Sequence, residues 1–150
     1  MLKLSRKTLL ALEAVIDIAF NARPEPVQAK EITARQGVPQ RYLEQVMQQL
    51  VRAGILKGVR GPRGGYRLAK ERRRISVGDI VRAAELAEDE NGEEALPRSE
   101  LGQRIVTPFI QTLQDELMAR LEAITVEDLC QKARAAGVSI EERDTADFTI

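Results

Sequence analysis

Apolar residues near the start of the chain recur at spacings of three and four: Leu9, Leu10, Leu12, Ala14, Val15, Ile16, Ile18, Ala19 and Phe20. That period predicts a helix over residues 5–22 with a broad buried face and Ser5 as its cap. The Arg-Pro-Glu-Pro stretch at 23–26 ends it, because proline cannot continue a helix and restricts the residue before it. A shorter helix is expected over 28–36, anchored by Ile32 and stopped by Gly37. After Val38 and Pro39, the segment 40–53 places Leu43, Val46, Met47, Leu50 and Val51 on one face. Its other face carries Gln40, Arg41, Tyr42, Glu44, Gln45, Gln48, Gln49 and Arg52. Helix, glycine-containing turn, helix is the order of a helix-turn-helix.

Beyond Gly54 the pattern changes. Residues 55–60 read as a strand that returns through a Gly/Pro turn at 61–65 to a second strand at 66–68, a hairpin. Ser76 and Asp79 have the spacing of a capping box, and the helix they open carries Ile80, Val81, Ala83, Ala84 and Leu86. Residues 87–99 are highly charged and aperiodic, as in an exposed connector. A long helix follows, either running from Leu101 with a bend at Thr107 and Pro108 or nucleated with Pro108 in its first turn. Its apolar stripe comprises Ile105, Val106, Phe109, Ile110, Leu113, Leu117, Met118, Leu121 and Ile124, and little chain remains to cover it. Thr125 and Asp128 mark another capping box, opening a helix that Gly137 should stop. At the end, Ala146, Phe148 and Ile150 alternate with polar residues, which suits either docking on a surface or a frayed terminus.

Composition narrows this picture. Of 150 residues, 43% are hydrophobic but only 3% aromatic, so the core falls to Leu, Ile, Val and Ala and helices are favoured over a sandwich. The formal net charge is zero. Residues 1–80 nevertheless carry 16 Lys/Arg against 7 Asp/Glu, and residues 81–150 carry 7 against 16. A basic front and an acidic rear point to a polyanionic partner. There is no histidine and one cysteine, Cys130, which excludes an internal disulfide and removes the commonest metal ligand and general base. With no nucleophile beside a base and no GxxxxGK[ST] phosphate loop, an enzyme is not expected. The first segment is interrupted by Glu13 and Asp17 and no apolar run is long enough to span a bilayer, so the expected location is cytoplasmic, away from membranes.

The basic excess is concentrated at 57–74, KGVRGPRGGYRLAKERRR, which contains four glycines and a proline. A tight basic hairpin following a helix with long polar side chains suits a DNA-binding winged helix. A recognition helix presents its N-terminal end to the major groove. There Arg41 can donate two hydrogen bonds to guanine, Glu44 can accept from cytosine, and Gln45 can read adenine or lie along phosphates. Tyr42 can reach a phosphate or pack on a thymine methyl, and Gln40 and Lys7 complete the helical candidates. In the hairpin, Arg60, Arg63 and Arg67 flank a turn in which Gly61 and Gly64 let the backbone approach a narrow surface. Such a wing can lay arginine in an A·T-rich minor groove. Lys57, Lys70 and Arg72 to Arg74 would add phosphate contacts, with the last three the least committed.

The stretches LSRKTLLALEAVIDIAF, KEITARQGVPQRYLEQVMQQLVRAGILKGVRGPRGGYRLA and ISVGDIVRAAE together resemble the Rrf2 family of bacterial winged-helix transcriptional regulators. The resemblance covers residues 2–86 densely, and the long helix and ITVEDL at 124–129 more loosely. It implies a mainly α fold with a small β-hairpin: a winged helix-turn-helix DNA-binding domain at 1–86, an acidic connector at 87–100, dimerisation helices at 101–137 and a tail at 138–150. It further implies a homodimer on a palindromic operator, with Phe109, Leu113, Leu117, Leu121 and Ile124 in the dimer seam. Arg41, Tyr42 and Glu44 fall where the family's recognition helix contacts DNA, and Arg60 where its wing enters the minor groove. Arg63 stands where many relatives have glycine.

Cluster-binding members that resemble this chain place three cysteines at 87–107, and this sequence has none there. A [2Fe–2S] cluster takes four ligands, mostly thiolates, which Cys130 alone cannot supply. No cofactor is therefore expected. Cys130 is the one candidate thiol switch, although its place beside Val126, Leu129 and Ala133 on an apolar face reads as a small buried residue. The expected function is a sequence-specific DNA-binding regulator, a repressor, binding double-stranded DNA as a homodimer under a small-molecule or protein effector. The competing reading is an interaction module whose basic wing binds an acidic protein.

Overall fold

The computed structural model describes residues 4–89 and 97–138. Helix α1, Arg6–Phe20, begins where the Ser5 hydroxyl accepts the Thr8 N–H at 3.3 Å. The Pro-rich loop after it is held by Arg23, whose Nη2 donates to both Glu31 carboxylate oxygens at 3.0 and 2.8 Å. Glu31 also accepts the Gln28 N–H at 2.9 Å, and so caps α2, Ala29–Gln36. Gly37 at φ 69° then ends α2 in the left-handed conformation that glycine adopts without strain. Helix α3, Gln40–Arg52, follows directly from Pro39.

The hairpin pairs β1, Leu56–Val59, with β2, Gly65–Leu68, antiparallel in the register Leu56 to Leu68 and Val59 to Gly65. A single residue, Val27, bridges to the outer edge of β2: it exchanges backbone hydrogen bonds with Tyr66 at 2.8 and 3.0 Å. Gly65 permits this, since a Cβ there would stand 2.4 Å from the Val27 oxygen. A 3₁₀ turn at Arg72–Arg74 leads to α4, Val77–Asp89, whose capping box is reciprocal: Asp79 accepts from Ser76 N–H and Ser76 Oγ accepts from Asp79 N–H, each at 3.0 Å.

Helical backbone resumes at residue 100. It passes through a π-helical stretch, Gly102–Val106, before α5, Thr107–Glu122. Of the two expectations for this region, the helix running through Pro108 is the one observed. Proline lacks an N–H and its ring crowds the carbonyl four residues back; the wider turn ahead of it, in which Thr107 N–H reaches the Gly102 oxygen, accommodates both. Helix α6, Val126–Ala135, opens at the Thr125 and Asp128 box, with reciprocal bonds of 2.9 and 3.1 Å.

The core is continuous. It joins Ala14, Val15 and Ile18 of α1, Leu43, Met47 and Leu50 of α3, Ile80 and Ala84 of α4, and Val126 and Cys130 of α6. Each large aliphatic side chain so buried is worth roughly 1.5–3 kcal/mol. Three sequence expectations change here. Leu9, 53% exposed, and Val51, 37% exposed, stand outside the buried faces assigned to them, because the helices packed on α1 and α3 cover a narrower arc than the apolar pattern offers. The 101–137 stretch is not one unit apart from the body, since α6 packs on α1. Arg72 is committed after all, to an ion pair with Glu127 of α6. The alternating residues Ala146, Phe148 and Ile150 lie outside the described residues.

Candidate nucleic-acid interface

The third helix turns its polar face outward because its apolar face is fully used: Leu43, Val46, Met47 and Leu50 are each at most 1% exposed. Opposite them, Gln40, Arg41 and Gln45 are exposed and Tyr42 and Glu44 half-buried. Gln40 Nε2 donates to Glu44 Oε1 at 2.9 Å across one helical turn, which orients the carboxylate. No other described residue pairs with Arg41. Its guanidinium keeps all its donors for an incoming group.

The wing tip is shaped by two glycines. Gly61 has φ 114°, and the Gly64 N–H closes the turn on the Gly61 oxygen at 2.9 Å. A Cβ on Gly64 would lie 2.3 Å from the Val59 oxygen, so this turn cannot form with any other residue there. Arg60 and Arg63 project from the turn, exposed and unpaired among the described residues.

Recognition helix and wing converge. Glu44 of α3, Ala29 at the start of α2, and Arg60, Gly64 and Tyr66 of the wing line one groove of about 330 Å³. Gly58 faces Tyr66 in the register, so no side chain stands between the ring and the groove. Burial, and then the Glu44 carboxylate, raise the Tyr66 phenol above its usual pKa; it is a neutral O–H donor at physiological pH. Sequence reasoning missed Tyr66. The signal is an aromatic directly across the hairpin from a glycine, which needs the register to be seen.

Two candidates lie elsewhere. Arg67 Nη2 donates to the Pro24 carbonyl and borders a separate cavity behind the wing, so the structure does not bring it into the groove. Its hydrogen bond to the Pro-rich loop holds the guanidinium on that side. Lys7 sits half-buried in the first turn of α1 and does not line the groove.

The long helix offers a second surface. Along α5 and the π-helical stretch before it, the row Leu101, Ile105, Phe109, Leu113 and Leu117 is 67, 61, 59, 47 and 38% exposed, and Leu121 is half-buried. Within α5 each step of four advances about 40° around the helix, so from Phe109 onward the row winds from open solvent toward the side packed on α4. Ile124, also half-buried, ends at that junction, where its carbonyl accepts the Val77 N–H at 2.8 Å. Glu122 beside it pairs with Arg82.

The family model described as Rrf2, iron-dependent transcriptional regulator, matches residues 4–132. The chain belongs to the Rrf2 family. Among curated Rrf2 relatives, the HTH-type transcriptional regulator IscR of Cronobacter sakazakii is 31% identical over 146 residues, 97% of this chain and 90% of that protein. IscR of Escherichia coli K12 is 32% identical over 139 residues, 92% of this chain and 86% of that protein. Of solved structures, T. potens IscR superposes with a TM-score of 0.71 at 33% identity, covering 92% of this chain and 93% of that one. CymR, the global cysteine regulator of B. subtilis, gives 0.67 at 32% identity, covering 88% and 98%. Like these regulators, this Rrf2 protein is a winged-helix DNA-binding transcriptional regulator.

The family description names iron, and the residues present do not fit it. The chain has no histidine and one thiol. That thiol, Cys130, is 0% exposed in the core, where burial raises its pKa above the usual range, against the lowering effect of Arg72. A thiolate ligand needs the opposite environment. Among the described residues, no three Cys, Asp or Glu side chains gather in a way that could hold a metal. The same burial argues against Cys130 as a thiol switch.

Proposed function

We propose that this chain is a repressor that binds a palindromic operator as a homodimer, and that it answers to a signal other than iron. Arg41, Tyr42, Glu44 and Gln45, with Gln40 orienting Glu44, read base edges in the major groove, and Arg60 and Arg63 enter the adjacent minor groove on the turn built by Gly61 and Gly64. The observation that carries this is the convergence of Glu44, Arg60 and Tyr66 on one groove, with Arg41 of α3 and Arg63 of the wing exposed and unpaired among the described residues. Lys7 is assigned to the phosphate backbone, and Arg67 stands outside the interface.

The dimer seam is the row Phe109, Leu113 and Leu117, extended by Leu121 and Ile124. A contiguous apolar row of this size on a soluble chain marks an interaction surface. Rows spaced by four on two copies interdigitate at a crossing angle of about −50°, which would set two recognition helices and two wings against one side of a duplex. The divisions that follow are a DNA-binding body made of α1 to α4, the wing and α6, a connector that starts only after Asp89, and a dimer helix whose backbone is helical from residue 100. We place the protein in the cytoplasm; no helix among the described residues is long and apolar enough to cross a membrane.

The test is to sequence the DNA bound by the protein in its own cells. Recovery of discrete sites sharing one motif supports the reading. Recovery of DNA without a motif, with binding that falls steeply with salt on any duplex, favours instead a basic wing that serves an acidic protein partner.

A further inference from the structure

Behind the wing lies a small cavity, about 180 Å³, closed by the last turn of α1, the Pro-rich loop and β2. Its floor is apolar: Ile18 and Val27 are each 2% exposed, and Leu68 is half-buried. Its rim carries both signs of charge. Glu25 is exposed and has no ion-pair or hydrogen-bond partner among the described residues. Arg67 spends only Nη2, on the Pro24 carbonyl, and keeps its remaining donors. Arg23 is occupied on its Nη2 by Glu31 and Pro26.

This volume is below the range of about 300–1,000 Å³ that suits drug-sized ligands. A simple anion would meet Glu25 and a simple cation would meet Arg67. A molecule that carries both charges on one end and a short apolar chain on the other satisfies the whole site. We propose that the cavity is an effector site for a zwitterionic α-amino acid with a small apolar side chain. The carboxylate would take the free donors of Arg67, the ammonium would take Glu25, and the side chain would lie against Ile18, Val27 and Leu68.

The wing can sense such an occupant. Tyr66 borders this cavity and also the groove that contains Arg60 and Glu44, and its backbone is bonded to Val27 on the cavity floor. A ligand that draws Arg67 away from Pro24 or shifts Val27 acts on the same strand that carries the wing. This regulatory role rests on the DNA-binding reading above, whereas occupancy of the site does not.

The chain has two tyrosines and no tryptophan, so Tyr42→Phe leaves Tyr66 as the sole tyrosine fluorophore. In that background, without DNA, L-valine, L-leucine and L-methionine are titrated against Tyr66 emission, beside isobutyrate and isobutylamine, which each lack one charged group. The expected result is a saturable change with at least one amino acid, weakened tenfold or more by Arg67→Gln and by Glu25→Gln, with both variants keeping the wild-type circular dichroism. No change with any of the three amino acids, a curve that neither substitution moves, or equal binding of isobutyrate would overturn the proposal. Because no DNA is present, none of these outcomes bears on operator recognition.

Discussion

Helices α3 and α5 are both amphipathic, 13 and 16 residues long, yet the protein treats their apolar faces in opposite ways. In α3 every apolar residue but Val51 is buried against α1 and α4, and the polar face is left for contact with something else. In α5 no residue is fully buried, and Phe109, Leu113 and Leu117 face solvent. The polar surface of α3 is complete as it stands, since its free donors are served by water until a duplex replaces it. The apolar surface of α5 is incomplete, because burying it is favourable and no described residue covers Phe109, Leu113 or Leu117. One helix presents free polar groups; the other presents bare apolar surface, which the proposed homodimer would bury.

Charge in the α5 row should therefore break association and leave the fold intact. Leu117→Arg is expected to sediment as a single chain with unchanged far-ultraviolet circular dichroism. It should bind its operator about 10²–10⁴-fold more weakly, since two linked half-site contacts become independent. A mutant that remains dimeric would mean that the chains associate through a surface other than this row. The reverse holds for α3. Met47→Ala should lower unfolding stability by about 2–5 kcal/mol in urea titration through the cavity it leaves.

Substitutions on the outer face of α3 should spare the fold and change only recognition. Arg41→Ala is expected to weaken operator binding by about 1–3 kcal/mol, centred on one base pair, with little effect on non-specific duplexes. An equal loss on every sequence would reassign Arg41 to the phosphate backbone. The smallest effect expected is that of Arg63→Gly. Losing one wing cation should lower the slope of log affinity against log salt by about 1 per subunit, with sequence preference retained.

Local chemistry makes most of the fold legible in the sequence itself. Gly37, the Ser76 and Asp79 box and the Thr125 and Asp128 box each act within four residues, and each behaves as its spacing requires. What the sequence hides depends on residues far apart. Arg72 meets Glu127, Arg67 meets the Pro24 carbonyl, and Val27 pairs with Tyr66, contacts that no window of sequence contains. The candidate interface divides the same way. Its arginines and glycines are visible as a basic, Gly-rich run. Tyr66 is not, because its role follows from lying across from Gly58 and behind Glu44.

The central claim, that a pair of these chains reads DNA through α3 and the wing, is tested most directly by selection from a pool of randomised duplexes, followed by an affinity titration on the winning site. An inverted repeat is expected, with half-site centres about 10–10.5 base pairs apart or a multiple of that spacing, and binding should be lost when either half is scrambled. Enrichment of a single unpaired half-site, or of no motif at all, would contradict it.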